Sequence, residues 1–214
     1  MRAPAAAERH VARDPVLGAL IARVRAASKG TPELFQIDRR PPLEALASAI
    51  VAQQLSSKAA RTIFARVRAL VPGEFTAKRV LALPVPALRG AGLSGSKARF
   101  LREIAAADAD GQLEITRFSN MNDASAREHL CRIKGVGPWT AEMFLMFRLR
   151  RPDVLPLGDG GLVRAVQLAW ELNKKPGPRV LQTIAAPWRP HATTAALFLW
   201  TALDLGVASP HARA

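Results

Sequence analysis

Apolar residues along this chain recur three and four positions apart nearly throughout, and no stretch alternates convincingly with period two. The pattern predicts an all-α protein. Helix starts are marked by capping residues or prolines: Asp14-Pro15 leads "VLGALIARVRAA", Pro42 leads "LEALASAIVAQQ", and Ser56 leads "SKAARTIFARVRAL", which Pro72-Gly73 closes. Further on, "TAKRVLALP", "PVPALRGAG", "SGSKARFLREIAAADAD" and "NDASAREHLCRI" read as short helices broken by Gly, Pro or Asn. The C-terminal third continues with "GLVRAVQLAWEL", the loop "NKKPGP", "RVLQTIAA" and "HATTAALFLWTALDL". "EFTAKR" and "LEITRF" leave room for a few extended residues but for no sheet. Helices of this length bury their apolar stripes by stacking as a bundle. With no fixed-period repeat and no linker, residues 1–214 read as one unit.

Composition sharpens this picture in three ways. An apolar content of 49% over 214 residues is ample for a packed core, whether in one domain or two small lobes. Lys and Arg number 31 against 17 Asp and Glu, and a net charge of +14 makes nucleic acid the leading partner. The single cysteine, Cys131, excludes an intramolecular disulfide, an iron–sulfur cluster and any zinc site built on several thiolates. A reducing, cytoplasmic setting is expected. Apolar runs such as "LEALASAIVA" are too short and too interrupted to span a bilayer, and "MRAPAAAERHVARD" lacks an apolar signal core, so no membrane association is expected.

The densest turn chemistry lies in "RIKGVGPWTAEMF", Arg132 to Phe144. Asn122 or Asp123 can cap a helix running to about Ile133, and Pro138 suits the first turn of the next, which leaves "KGVG" as the connection. Gly135 and Gly137 supply positive φ or bare backbone. Successive N–H groups from Lys134, Gly135, Val136 and Gly137 then form a nest of the kind that holds a phosphate oxygen.

Helix, "KGVG", proline and "WTAEMFLMF" together resemble the helix-hairpin-helix motif of the DNA repair superfamily that contains endonuclease III and the 3-methyladenine DNA glycosylases. The resemblance runs from about Leu43 to Leu203 and is strongest over Ile133 to Val166. It implies that hairpin amides hold DNA phosphate, and that hairpin carbonyls near Ile133 and Val136 can hold a monovalent cation. It also implies two helical lobes with a DNA cleft between them, a middle lobe over 43–123 and a second formed by 1–42 with 124–214. The roughly forty N-terminal residues leave no room for the β-rich domain of some larger relatives.

The superfamily carries an essential aspartate some twenty residues past the hairpin. Asp159 in "RPDVLPLGDGGLVRAVQ" matches that position, and Asp153, before Val154 and Pro156, is the competitor. Asp159 also suits the N-cap of the helix that starts near Gly161 or Leu162. The two roles are compatible, because a capping carboxylate facing a cleft can stabilise an oxocarbenium-like sugar or align an attacking water.

Bifunctional members place a nucleophilic lysine just past the hairpin, where this chain has Trp139, so no Schiff base can form there. The resemblance therefore points to the DNA-3-methyladenine glycosylase II (alkylation repair) branch, in which aromatic side chains stack on the extruded base. A cationic alkylated purine is attracted to a π face and is already a good leaving group. Met143 stands where some relatives have tyrosine. In "WRPHATTAALFLW", Trp200 is a second pocket wall, with a core role as its alternative. "QQLS" corresponds to the loop that wedges into the duplex: Gln53, Gln54 or Leu55 fills the gap, with Gln54 favoured. Lys58, Arg61 and Lys97 are candidate phosphate contacts.

The reading is a monomeric, nucleoid-associated, monofunctional glycosylase that needs no organic cofactor. It flips damaged nucleotides in double-stranded DNA and hydrolyses the N-glycosidic bond of alkylated purines of the 3-methyladenine and 7-methylguanine type with Asp159. A glycosylase/lyase for oxidised purines and a non-catalytic DNA-binding protein that retains the hairpin are the alternatives.

Overall fold

Residues 5–28 and 38–211 are described by a computed structural model, with every regular element among them helical and no strand. In chain order these are α1 (Ala5–Val11), α2 (Pro15–Ala27), α3 (Pro42–Ala52), α4 (Ser57–Ala69), α5 (Ala77–Ala82), α6 (Val85–Gly90), α7 (Gly95–Ala109) and α8 (Ile115–Ser119). They continue as α9 (Asp123–Cys131), α10 (Pro138–Met143), α11 (Gly160–Ala169), α12 (Pro178–Ala185) and α13 (Ala192–Asp204). The expected starts are set by side-chain caps. Asp14 Oδ1 accepts from the amides of Val16 and Leu17, Ser56 Oγ from Ala59, and Ser94 Oγ from Lys97. Between the two candidate caps of α9, Asn122 takes the role by accepting from the Ser125 amide at 2.8 Å.

Three elements depart from the periodicity. The segment 5–11, for which no helix is predicted, forms α1. The helix expected to run through "QQ" stops at Ala52, because Gln53 is extended (ψ 128°) and Gln54 is left-handed (φ 58°). The "WTAEMFLMF" helix changes after Met143 into a π-helical turn, Phe144–Arg148. No described helix is long and apolar enough to cross a membrane.

The chain divides into two compact units, Asp38–Leu149 and Met1–Ile37 with Arg150–Ala214. In the first, α3 is central: Leu43, Leu46, Ala47, Ile50 and Val51 are buried, and the helix packs against α4, α7, α10 and the π-helical turn. The second is organised by α13, whose residues from Ala192 to Leu199 are all buried and which packs on α1, α2 and α11. Beneath α2, the fully buried Trp188 donates Nε1–H to Asp14 Oδ2 at 3.0 Å, so the carboxylate that caps α2 also satisfies a core indole.

This division differs from the expected one, which separates 43–123 from 1–42 plus 124–214. The hairpin sides with the 43–123 segment because α10 and the π-helical turn pack on α3, and because the Gln53 side chain is bonded to Gly135 and Thr140. Asp153 likewise acquires a structural role. Its Oδ1 accepts from the Ala192 amide at the start of α13, and its Oδ2 pairs with Arg189 at 2.9 Å.

Candidate nucleic-acid interface and hydrolytic site

The hairpin joins α9 to α10 through Arg132–Gly137, closed by the Val136 amide donating to the Ile133 carbonyl at 3.0 Å. The two glycines do different things. Gly135 sits at φ +94°, and a Cβ there would lie 2.3 Å from Phe100 Cγ, so both the backbone and its neighbour on α7 require glycine. Gly137 is an extended N-cap (φ −88°, ψ 175°), and a Cβ there would meet nothing within 4 Å. Nothing among the described residues demands glycine at 137. Lys134 is exposed and lies 3.9 Å from Glu103, a surface pair of little energetic consequence.

The "QQLS" loop is held from two sides. From α7, Lys97 Nζ donates to the carbonyls of Val51 at 2.8 Å and Gln53 at 2.6 Å, satisfying the open C-terminal end of α3. Burial pushes the Lys97 ammonium below the ordinary lysine range. From the loop itself, Gln53 Nε2 donates to the Gly135 carbonyl at 3.3 Å and to Thr140 Oγ1 at 2.9 Å. Two expectations change accordingly. Lys97 is engaged by backbone carbonyls rather than standing ready for a phosphate, and Gln53 is turned toward the hairpin. Of the three wedge candidates Gln54 and Leu55 are exposed, Leu55 at 40% and Gln54 in the left-handed region. Lys58 and Arg61 follow on α4, also exposed.

Asp159 caps α11. Its Oδ1 accepts from the Leu162 amide at 2.6 Å and from the Trp200 indole Nε1–H at 2.8 Å. Gly161 makes room for this arrangement: a Cβ there would press on Asp159 Oδ1 at 3.2 Å and on the Trp200 ring at 3.4 Å. Trp200, expected as a flat wall, thus also holds a carboxylate by its N–H. One oxygen fixed by two donors sets the plane of the carboxyl group. Trp139 and Met143 lie one turn apart on α10, both half-buried, and belong to the unit Asp38–Leu149, whereas Asp159 and Trp200 belong to the other. Among the described residues no group of three or more His, Cys, Asp or Glu is placed to hold a metal ion. At the hairpin, the Ile133 carbonyl has a second lone pair beyond the one the Val136 amide uses, and such oxygens suit a hard monovalent cation.

Sequence reasoning missed Phe100 and Thr140. Phe100 follows Lys97 by three positions on α7, the spacing that puts two side chains on one helix face. That face was legible; what it packs against was not.

Residues 47–190 match the model of the HhH-GPD superfamily base excision DNA repair protein. DNA-3-methyladenine glycosylase 1 of Schizosaccharomyces pombe is 35% identical over 173 residues, covering 77% of this chain and 73% of the relative. Among solved structures, the S. pombe 3-methyladenine DNA glycosylase in complex with abasic DNA superposes with a TM-score of 0.83 at 28% identity, covering 93% of this chain and 97% of that one. A DNA-3-methyladenine glycosidase from Bacillus halodurans superposes with a TM-score of 0.76 at 34% identity, over 97% and 94% of the two chains. The chain spans less than half the length of two Bacillus subtilis relatives, 41% of one and 35% of the other.

Proposed function

The chain belongs to the HhH-GPD superfamily of base excision DNA repair proteins, and from that membership we propose that it is a monofunctional DNA glycosylase that releases alkylated purines from double-stranded DNA. The observation that carries the reading is the setting of Asp159, at the start of α11 with Oδ1 held by the Leu162 amide and the Trp200 indole. A carboxylate so oriented can stabilise positive charge on the sugar as the C1′–N bond lengthens, and it can align the water whose oxygen then bonds to C1′. The electron pair of the broken bond leaves with the base. For a purine made cationic by alkylation this yields a neutral leaving group, so no acid is needed at the base, and the water's proton passes to solvent.

Trp139 supports the choice of substrate class. An indole in the position of the lyase lysine offers a π face to a cationic base and no amine to form a Schiff base. Gly135 to Gly137 are the proposed phosphate cradle, Lys58, Arg61 and Lys134 further backbone contacts, and Gln54 with Leu55 the wedge. Carbonyls near Ile133 and Val136 would hold a monovalent cation, which adds positive charge beside the phosphate.

The test is release of 3-methyladenine and 7-methylguanine from methylated DNA, with Asp159→Asn as the control. Release by wild type and its loss in the variant are expected; equal activity in the two overturns the mechanism. A covalent adduct trapped by borohydride would instead place the chain among the lyases.

A further inference from the structure

Five contacts gather on one side of the hairpin within the unit Asp38–Leu149. Lys97 grips the carbonyls of Val51 and Gln53. Phe100, one turn along α7, lies directly beneath Gly135. Gln53 bridges from the loop to the Gly135 carbonyl and to Thr140 Oγ1 on α10. The loop and the hairpin turn are thus bonded to each other and both rest on the same face of one fifteen-residue helix. Gln54, the residue next to this grip, is held left-handed with φ 58°, a conformation that a non-glycine residue adopts only when its neighbours fix it.

Resting on the glycosylase reading, we infer that Gln53, Lys97 and Phe100 are positioning residues that join the wedge loop to the phosphate-binding hairpin as one piece, so that seating the hairpin on the backbone sets the depth at which Gln54 and Leu55 enter the duplex. Unstacking a base costs free energy, and the inserted side chain offsets part of that cost only when it sits at the right height. A loop free to recoil would let the duplex close again. The positions therefore act on base opening and not on affinity for the backbone. This separates Lys97 from a phosphate-binding lysine, which would contribute about one unit to the salt slope of binding.

The experiment uses the full chain and the variants Gln53→Met, Lys97→Met, Lys97→Arg and the double Gln53→Met/Lys97→Met. Three readouts are taken: binding to a plain duplex across a salt series, opening of a 2-aminopurine reporter beside 7-methylguanine, and single-turnover release of that base. The expected result is plain-duplex affinity within about twofold of wild type with an unchanged salt slope, while opening and release fall together by about tenfold or more. Lys97→Arg, which can still donate to both carbonyls, recovers most of the loss. The double variant falls little further than the worse single one, because both act through one piece. A salt slope reduced by about one in Lys97→Met, or wild-type opening in both methionine variants, overturns the proposal. So does a wild-type protein that opens no base. If wild type opens the base but releases none, the glycosylase reading fails, while the opening data still decide the coupling.

Discussion

The two hairpin glycines make opposite demands, and exchanging each for alanine separates what the fold needs from what a partner needs. Gly135→Ala forces a side chain onto φ +94°, which costs on the order of 1–2 kcal/mol, and drives a Cβ to 2.3 Å from Phe100 Cγ, an overlap worth about 1–3 kcal/mol more. The sum, about 2–5 kcal/mol, lowers the melting temperature of a chain this size by roughly 4–20 °C. Gly137→Ala meets no atom within 4 Å and leaves the backbone extended, so its stability stays within about 0.5 kcal/mol of wild type or rises slightly. Its effect is reserved for DNA. A phosphate oxygen at hydrogen-bond distance from the turn amides leaves no space for a methyl group beside them, and affinity for a plain duplex is expected to fall about tenfold. Thermal melts and fluorescence anisotropy on a labelled duplex measure the two effects on the same samples. Gly137→Ala binding DNA as wild type does, at unchanged stability, would refute the phosphate cradle. Gly135→Ala melting with wild type would refute the packing of the turn on α7.

The remaining predictions follow from single contacts. Trp200→Phe keeps an aromatic face but removes the 2.8 Å hydrogen bond to Asp159, so the single-turnover rate of base release falls about tenfold with KM little changed, and Trp200→Ala falls no further if the N–H is what matters. Asp159→Asn retains an oxygen that can cap α11, so calorimetry should find the fold within a few degrees of wild type while release drops about a thousandfold or more. Asp153→Ala removes the side-chain acceptor of the Ala192 amide and the carboxylate that pairs with Arg189, leaving Arg189 only the carbonyl of residue 153, and lowers stability by about 1–3 kcal/mol in a denaturant titration, with the rate per folded molecule unchanged. Lys58→Met raises Kd a few-fold on any duplex sequence and cuts the salt slope by about one, the behaviour denied to Lys97.

What the sequence made legible was local. The helix starts at Asp14, Ser56, Asn122 and Asp159 were readable because a cap and the amide it satisfies lie two or three residues apart. The helical class was readable from the period, and the hairpin from two glycines and a proline in four residues. The lobe boundary was not, because it depends on which surface α10 and the π-helical turn cover; they cover α3, whose apolar face spans nearly its whole circumference and could have been buried by any neighbour. The early end of α3 was hidden for a related reason. Two glutamines are good helix formers, and the contacts that accompany the break, from Gln53 to Thr140 and from Lys97 to the Gln53 carbonyl, are made with residues more than forty positions away.

The same distinction governs the candidate site. A long cation near a proposed DNA surface reads as a phosphate contact, since its charge is visible in the sequence and its destination is not. Lys97 ends on carbonyls contributed by residues more than forty positions earlier. Trp200 shows the converse: its ring reads as a wall from sequence, while the acceptor of its N–H stands forty-one positions upstream at the cap of another helix. Both cases concern long amphipathic side chains whose apolar part and polar tip do separate work. Asp153 and Asp159 show what decides between two carboxylates that sequence leaves close together. Asp153 is committed to the start of α13 and to Arg189, an arrangement that secures a helix whose every residue from Ala192 to Leu199 is buried. Asp159 is gripped through Oδ1 by a helix-start amide and by an indole that Gly161 leaves room for, an arrangement that serves the orientation of the carboxyl group rather than the burial of a helix. Holding a reactive group by its neighbours' rotamers is what a hydrolytic carboxylate requires and a structural cap does not, and on this ground we propose Asp159 rather than Asp153 as the residue that would act on the sugar.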